Sequence, residues 1–111
     1  MHLKCTIGRL YENVVFIQLL RRGKKVYFFK DKLNYEIDFI TLEKNKVSSL
    51  IQVCYDLDIV KTKEREIRGL LLGLNEFKLK EGVMITRDLE KEEKIDNKLI
   101  RFIPLWKWLL E

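Results

Sequence analysis

The spacing of hydrophobic and polar positions changes several times along the chain, and each change marks the boundary of a predicted element. Apolar residues recur with helical spacing over residues 9–21, and this helix is expected to end at the basic pair before Gly23. A second helical pattern covers residues 62–78, with Thr62 as its predicted N-cap and Glu66 in its first turn. These two segments predict the two long helices of the domain.

Strand-forming residues dominate the segments around these helices. The five predicted strands are residues 25–30, 35–42, 47–55, 83–87 and 98–103. The turn at residues 31–34 joins the first two strands as a hairpin, whereas the charged segment 88–97 predicts a loop. Pro104 is expected to open a short final helix that ends at Leu110. A hairpin followed by a helical crossover predicts an α/β fold, with a mixed five-stranded sheet flanked by helices.

Two of the predicted strands carry polar side chains on one face. Alternation places Glu36 and Asp38 together on the second strand. The opposite face of that strand is expected to carry Tyr35, Ile37 and Phe39. On the third strand, Gln52 and Cys54 share a face with Leu50. The two strands therefore offer a pair of carboxylates, an amide and a thiol.

Glu12 lies among apolar residues of the first helix, and a carboxylate in such a place needs a partner or a metal ion. If this helix packs on the sheet, Glu12 and Asp38 converge beside Gln52. The structural alternative is an ion pair of Glu12 with Arg9 or with an arginine of the second helix. Gln52 and Cys54 are then ordinary residues at the edge of the core.

Composition argues against several kinds of chemistry. The chain has 111 residues, of which 47% are hydrophobic and 35% charged, as is typical of a single folded domain over residues 1–111. Two cysteines cannot supply a disulfide framework or a four-ligand zinc site, and His2, the single histidine, sits at the terminus, which argues against Ser-His and Cys-His catalysis. Apolar runs are too short to cross a bilayer and no signal peptide is evident, so we expect a cytoplasmic protein with no membrane partner.

The net charge of +5 is unevenly distributed. Residues 1–35 carry eight basic and two acidic residues, residues 36–60 carry two and five, and residues 61–80 carry six and three. Basic segments on both sides of an acidic one suit a phosphate-binding rim around a carboxylate site. The alternative is a solvated surface rich in Lys and Glu. The candidate nucleic-acid-binding residues are Arg21, Arg22, Lys24, Lys25, Arg65 and Arg68.

The order of a helix Glu, a strand Asp and a Gln on the next strand resembles the PD-(D/E)XK nuclease superfamily. That superfamily has a restriction-endonuclease-like αβββαβ core, which the first six predicted elements match in order. Five phrases of the chain look like the nuclease-like C-terminal domain of archaeal and bacterial AAA-type ATPases. These phrases are GRLYENVVFIQLLRRG, YEIDFI, LIQVCYDL, KEREIRGLL and IPLWKWLL. Because the chain has no P-loop, the resemblance is to that domain without the ATPase.

This resemblance implies a divalent-metal site, with Mg²⁺ as the expected ion. Glu12 and Asp38 would be ligands, and Gln52 would add its carbonyl oxygen. Cys54 stands where the superfamily has a lysine, and a thiol cannot replace an ammonium group that stabilises charge in the transition state. A relocated cation would come from the start of the second helix. The candidates are Lys61, Lys63, Arg65 and Arg68.

Three functions follow as hypotheses. The first is a degenerate nuclease-like domain that binds nucleic acid or a partner protein without efficient cleavage. The second is an active Mg²⁺-dependent DNA endonuclease with a relocated lysine. The third is a structural or regulatory remnant that docks on an AAA-type ATPase or self-associates.

Overall fold

The computed structural model describes residues 3–30 and 35–111, and within those ranges it contains three helices and six strands. The helices are α1 (Leu3–Arg21), α2 (Val60–Glu76) and α3 (Leu105–Leu109). The strands are β1 (Lys25–Lys30), β2 (Glu36–Glu43), β3 (Lys46–Val53), β4 (Glu81–Thr86), β5 (Lys91–Ile95) and β6 (Lys98–Pro104). The turn predicted at residues 31–34 lies outside the described residues.

All six strands form one mixed sheet in the order β1-β2-β3-β4-β6-β5. β1, β2 and β3 are antiparallel neighbours, β3, β4 and β6 are parallel, and β5 runs antiparallel to β6. α2 is the crossover that a parallel β3–β4 pair requires. The mixed α/β architecture with flanking helices is therefore confirmed.

The segment predicted as a charged loop, residues 88–97, instead contains β5, so the prediction of five strands is wrong by one. The strand Lys91–Ile95 returns into β6 through a tight turn, where Asp96 and Asn97 have φ of 50° and 65°. Periodicity missed the strand because its sequence, KEEKI, lies at a largely exposed edge where no apolar face is needed. The Asp-Asn pair was the available signal.

Both long helices begin earlier than predicted. α1 begins at Leu3 rather than at residue 9, and α2 begins at Val60 rather than at Thr62. The N-cap of α2 is Ile59, which makes no side-chain capping bond. The true start of α2 therefore carries no capping residue for the sequence to reveal.

Two apolar layers cover the sheet. α2 covers one face, where Leu70 and Leu74 are fully buried, as its apolar spacing predicted. α1 and α3 cover the other face, where Val15, Leu19 and Trp108 are buried. No helix in the described part of the chain is both long enough and apolar enough to cross a membrane. The cytoplasmic location stays a prediction.

A β-bulge in β2 redirects side chains at one end of the sheet. β1 contributes one residue, Phe28, where β2 contributes two, Asp38 and Phe39. Ile37 and Phe39 consequently pack in opposite layers, against α2 and α1 respectively. The alternation that placed both on one face is wrong at this point, because the extra residue follows from the pairing of two strands and has no signal within either one.

Candidate functional site

β2 and β3 separate at one end of the sheet, and two side chains fill the gap between them. The backbone pairing of these strands reaches Phe39 and Ile51 and goes no further. Beyond it, the N–H of Asp38 donates to Gln52 Oε1 (2.7 Å), and the N–H of Val53 donates to Asp38 Oδ2 (2.7 Å). The structure thus brings Asp38 and Gln52 together. Their side chains replace the missing backbone hydrogen bonds where β2 and β3 separate, and we call this region, formed by Asp38, Gln52 and Val53, the fork.

Gln52 is fully buried and joins three elements. Besides accepting from Asp38, its side-chain nitrogen donates to the backbone oxygens of Glu36 (2.8 Å) and Glu66 (3.3 Å). Because an unpaired backbone group in the interior costs about 1–3 kcal/mol, these bonds give Gln52 a structural role. The carbonyl oxygen expected to bind a metal ion is already used as an acceptor within the fork.

Three carboxyl groups lie near the fork, and their environment favours the protonated form. Burial, with smaller contributions from the charges of Glu66 and Glu12, raises the pKa of Asp38 to about 8 against the opposing effect of the Val53 N–H. Burial also raises the pKa of Glu66, to about 7. The pKa of Glu12 rises for the same reason, although a hydrogen bond from Asp38 and the charge of Arg9 lower it in part. A protonated Asp38 donating to an ionised Glu12 satisfies both groups.

Glu66 was missed as a site residue because the sequence placed it in the exposed first turn of a helix. α2 begins one and a half turns before it, and Glu66 shares the helix face of Gly69, Leu70 and Gly73, which are buried. At Gly69 a Cβ would lie 2.9 Å from the backbone oxygen of Glu36, so this face of α2 touches the sheet closely. Gly69 and Gly73 follow Glu66 at helical spacing, and this was the sequence signal that Glu66 lies on the helix face next to the sheet.

Cys54, the residue expected at the lysine position of the resemblance, is a neutral thiol. It is buried in the layer under α2, and its N–H donates to the backbone oxygen of Ile85 (2.8 Å). Burial raises the pKa of the Cys54 thiol to about 12, with smaller contributions from the charges of Glu66 and Asp38. This position therefore carries neither an ammonium group nor a thiolate at neutral pH.

Carboxylate oxygens are the donors that Mg²⁺ prefers, but their placement here does not fit a metal ion. Among the residues that the structure describes, no group of three or more His, Cys, Asp or Glu side chains is arranged to hold one. One oxygen of Asp38 and the oxygen of Gln52 already accept backbone N–H groups. No catalytic step through Mg²⁺ follows from this arrangement.

The basic segment 21–25 lies at the far end of β1 from the fork. β1 begins in this segment and ends at Lys30, which pairs with Glu36 near the fork. Within the segment, the Arg22 guanidinium lies 4.5 Å from the centre of the Trp108 ring and donates to the Trp108 backbone oxygen (3.0 Å). Arg22 thus secures α3 against α1, and the four basic residues of the segment do not form a rim around the carboxyl groups.

Arg65 and Arg68, the other two basic candidates, differ in position although both lie on α2. Arg65 lines a groove of about 690 Å³ together with Glu12, Cys54 and Glu66, and its charge lowers the pKa of Glu66. Arg68 is exposed and does not line this groove. Arg65 is therefore the candidate for a relocated cation that lies beside the carboxyl groups.

A second groove, of about 850 Å³, runs between α1 and the edge strand β1, and we call it the α1–β1 groove. Four phenylalanines line it: Phe16 from α1, Phe28 and Phe29 from β1, and Phe39 from β2. The rings of Phe16 and Phe39 are stacked, with their centres 6.3 Å apart. Glu12 and Asp38 also line this groove, so these two carboxyl groups lie beside its aromatic rings.

The α1–β1 groove adjoins a set of exposed apolar side chains, the α1–β1 apolar surface. It consists of Leu10, Val14, Phe16, Ile17, Leu20, Tyr27 and Phe28. Their exposed fractions run from 38% for Val14 to 80% for Phe28. With typical side-chain areas the exposed parts of these seven side chains sum to roughly 700 Å². The sequence contained the signal, since α1 is apolar on more sides than one packed face needs.

The fold and the fork define a mixed α/β domain that holds a cluster of partly buried carboxyl groups beside exposed apolar side chains. The chain belongs to the family described as a domain of unknown function, DUF4143, which matches residues 7–108. It is also 42% identical over 112 residues to Uncharacterized protein MJ1544 of Methanocaldococcus jannaschii. That match covers 93% of this chain and 25% of the relative, so the chain spans about a quarter of the length of this curated relative.

Proposed function

We propose that this domain binds a partner protein and does not cleave nucleic acid efficiently. We infer that it is a degenerate PD-(D/E)XK nuclease-like domain. Two features support that ancestry: the αβββαβ order of the first six elements, and the succession of Glu12, Asp38 and Gln52 along them.

The observation that carries the loss of cleavage is the buried Cys54 thiol. Phosphodiester cleavage builds up negative charge, and a preorganised cation is commonly worth about 10²–10³ in rate. The Cys54 thiol, which lies near Asp38 and Glu66, is neutral and contributes no positive charge. The carboxyl groups around it supply no positive charge either.

A protein partner is favoured over nucleic acid because of the surface that is exposed. The α1–β1 apolar surface approaches the area of about 800 Å² that each partner buries in a standard protein interface. Nucleic-acid sites are instead dominated by basic residues that contact phosphates. Here Arg22 is engaged by Trp108, and the segment around it lies away from the fork.

Cleavage is tested by restoring the missing cation. Cys54→Lys places an ammonium group on the same strand face as Gln52, close to Asp38. We expect wild-type protein to leave supercoiled plasmid intact with Mg²⁺ or Mn²⁺, and Cys54→Lys to leave it intact as well, because the carboxyl groups around Asp38 do not fit a metal ion. Nicking by Cys54→Lys that an added Asp38→Asn removes would show instead that the thiol alone prevents cleavage.

Metal-dependent nicking by the wild type that Asp38→Asn abolishes would overturn the proposal and favour an active endonuclease. Arg65→Ala would then show whether Arg65 supplies the relocated charge. Calorimetric titration with Mg²⁺ separates the two cases further, because the proposal expects no Mg²⁺ binding that depends on Asp38.

Partner binding is tested with a display library of genome fragments selected on the immobilised chain. Ile17→Glu, which charges the α1–β1 apolar surface, should remove the selected clones, whereas Trp106→Glu on α3 should retain them. Trp106 is a matched control because it is also exposed, at 61%, and lies outside that surface. Binding to duplex, single-stranded or branched DNA that weakens steeply with salt, with no fragment selected, would instead identify a nucleic-acid-binding domain.

A further inference from the structure

β1 is an edge strand whose outer side is open. It pairs only with β2 within the described sheet, so along one side its backbone N–H and C=O groups are free of strand partners. Tyr27 and Phe28 in its middle are 55% and 80% exposed. An apolar, exposed edge of this kind is a ready template for one more strand.

The α1–β1 groove runs beside this edge. Val26 packs in the layer under α1 and Phe29 in the layer under α2, so alternation puts Phe28 on the α1 side, facing the groove with Phe16. A helix and an edge strand that flank a groove form the geometry in which several peptide-binding domains take an extended chain. The volume of about 850 Å³ lies within the range of ligand sites.

The ionisable groups of the α1–β1 groove determine which charge its occupant should carry. Asp38 and Glu12 are its partly buried carboxyl groups, of which Glu12 carries the negative charge, whereas Arg9 and Lys30 are exposed at its rim. Lys30 already forms an ion pair with Glu36 (3.7 Å). A cationic side chain that enters the groove therefore meets carboxyl groups at the end of β1 nearest the fork.

We propose that an extended segment of a partner protein adds to the sheet beside β1, with alternate apolar side chains against Phe16 and Phe28 and a Lys or Arg side chain directed to Asp38 and Glu12. The inference rests on the proposed function, since it names the partner of a protein-binding domain. A second copy of the chain fits less well, because it would bring its own α1 beside β1, whereas an extended segment brings a single strand.

The test uses a phage library of random decapeptides selected on the purified chain, followed by a fluorescent synthetic peptide of the selected consensus. We expect alternating apolar residues with one basic residue, and protection of the β1 amides from hydrogen exchange when the peptide binds. Phe28→Lys should weaken binding at least about tenfold, as expected for an anchor at an interface, whereas Trp106→Lys should leave it unchanged. Glu12→Gln should lower the preference for a basic residue several-fold.

Other results would overturn the inference in distinguishable ways. If Phe28→Lys leaves peptide binding intact while Ile17→Glu still removes the genome fragments, the domain binds proteins at α1 and the strand-addition site is wrong. If the wild type is a dimer that Phe28→Lys dissociates, a second copy covers β1. If neither library yields a binder, the proposed function fails together with the inference. Circular dichroism of each variant establishes that it is folded.

Discussion

The two edges of the sheet are built from opposite kinds of residue. β5 carries the sequence KEEKI, in which Lys91 and Glu93 form an ion pair (3.1 Å). Its charged side chains discourage pairing with another strand, a device that natural sheets use at their edges. Beneath it, Phe102 of β6 is almost completely buried, with the Lys91 ammonium 5.2 Å from the centre of its ring. This edge is closed to partners by charge.

β1, at the other edge, carries the sequence KVYFFK and exposes two of its aromatic rings. Both edges belong to one sheet with the same backbone requirements, so the fold itself does not demand this difference. Charged residues thus protect the edge at β5, where no contact is needed. The apolar edge at β1, beside an aromatic groove, is a candidate for contact with a partner.

The largest expected effect compares a phenylalanine near each edge. Phe102→Ala removes a buried ring near β5 and should lower the free energy of unfolding by about 3–5 kcal/mol. Phe28→Ala on β1 should change it by no more than about 0.5 kcal/mol, because the ring is 80% exposed. Urea denaturation measures both. A similar loss at Phe28 would mean that the exposed edge contributes to the core and is not kept for a partner.

A smaller effect concerns pH, because the groove beside β1 contains the buried carboxyl groups. The pKa of Asp38 is about 8 in the fold against an ordinary value of 3.8, so between these values the folded state binds more protons than the unfolded state. The free energy of unfolding should therefore fall, by at most about 1.4 kcal/mol per pH unit for this group, as pH rises from about 4 to about 8. Urea titrations at several pH values measure this slope.

Asp38→Asn keeps an acceptor for the Val53 N–H and removes the charge, so the decline should become shallower. Part of it should remain, since burial also raises the pKa of Glu66 to about 7. Asp58→Asn, at an exposed carboxyl group, is the matched control and should leave the slope as it is. A free energy of unfolding that rises with pH would show that these carboxyl groups are ionised and stabilising in the fold.

The smallest effect on stability comes from removing the charge protection of β5. Glu92 and Lys94 are exposed, so the double substitution Glu92→Val and Lys94→Val should change the free energy of unfolding by less than about 1 kcal/mol. It should nevertheless promote self-association, measured by light scattering at increasing protein concentration. A variant as monomeric as the wild type would show that the charges of β5 do not guard this edge.

Local patterns were enough to place most of the helices and strands. The α2 face was predictable because Leu70 and Leu74 recur at helical spacing, and burying such a stripe is the main reason that the helix forms. β5 was missed because a charged, exposed strand has no buried face that imposes a period of two. The start of α2 was missed because Ile59 provides no side-chain cap.

The candidate site likewise has features that the sequence reveals and features that only the fold decides. The sequence by itself determined the candidate side chains: the carboxyl groups of Glu12 and Asp38, the amide of Gln52 and the thiol of Cys54. It also determined their order along the chain. These are properties of single residues and of spacing along a strand, so they can be read before the chain folds.

Only the tertiary structure decided how those side chains are used. The separation of β2 from β3 turned Gln52 into a bridge between backbone groups, and the close approach of α2 brought Glu66 to the carboxyl groups. The pKa of Asp38 depends on burial by several elements at once, and the exposure of Phe28 depends on which strand lies at the edge. Such quantities are set by contacts between distant parts of the chain, which no local pattern contains.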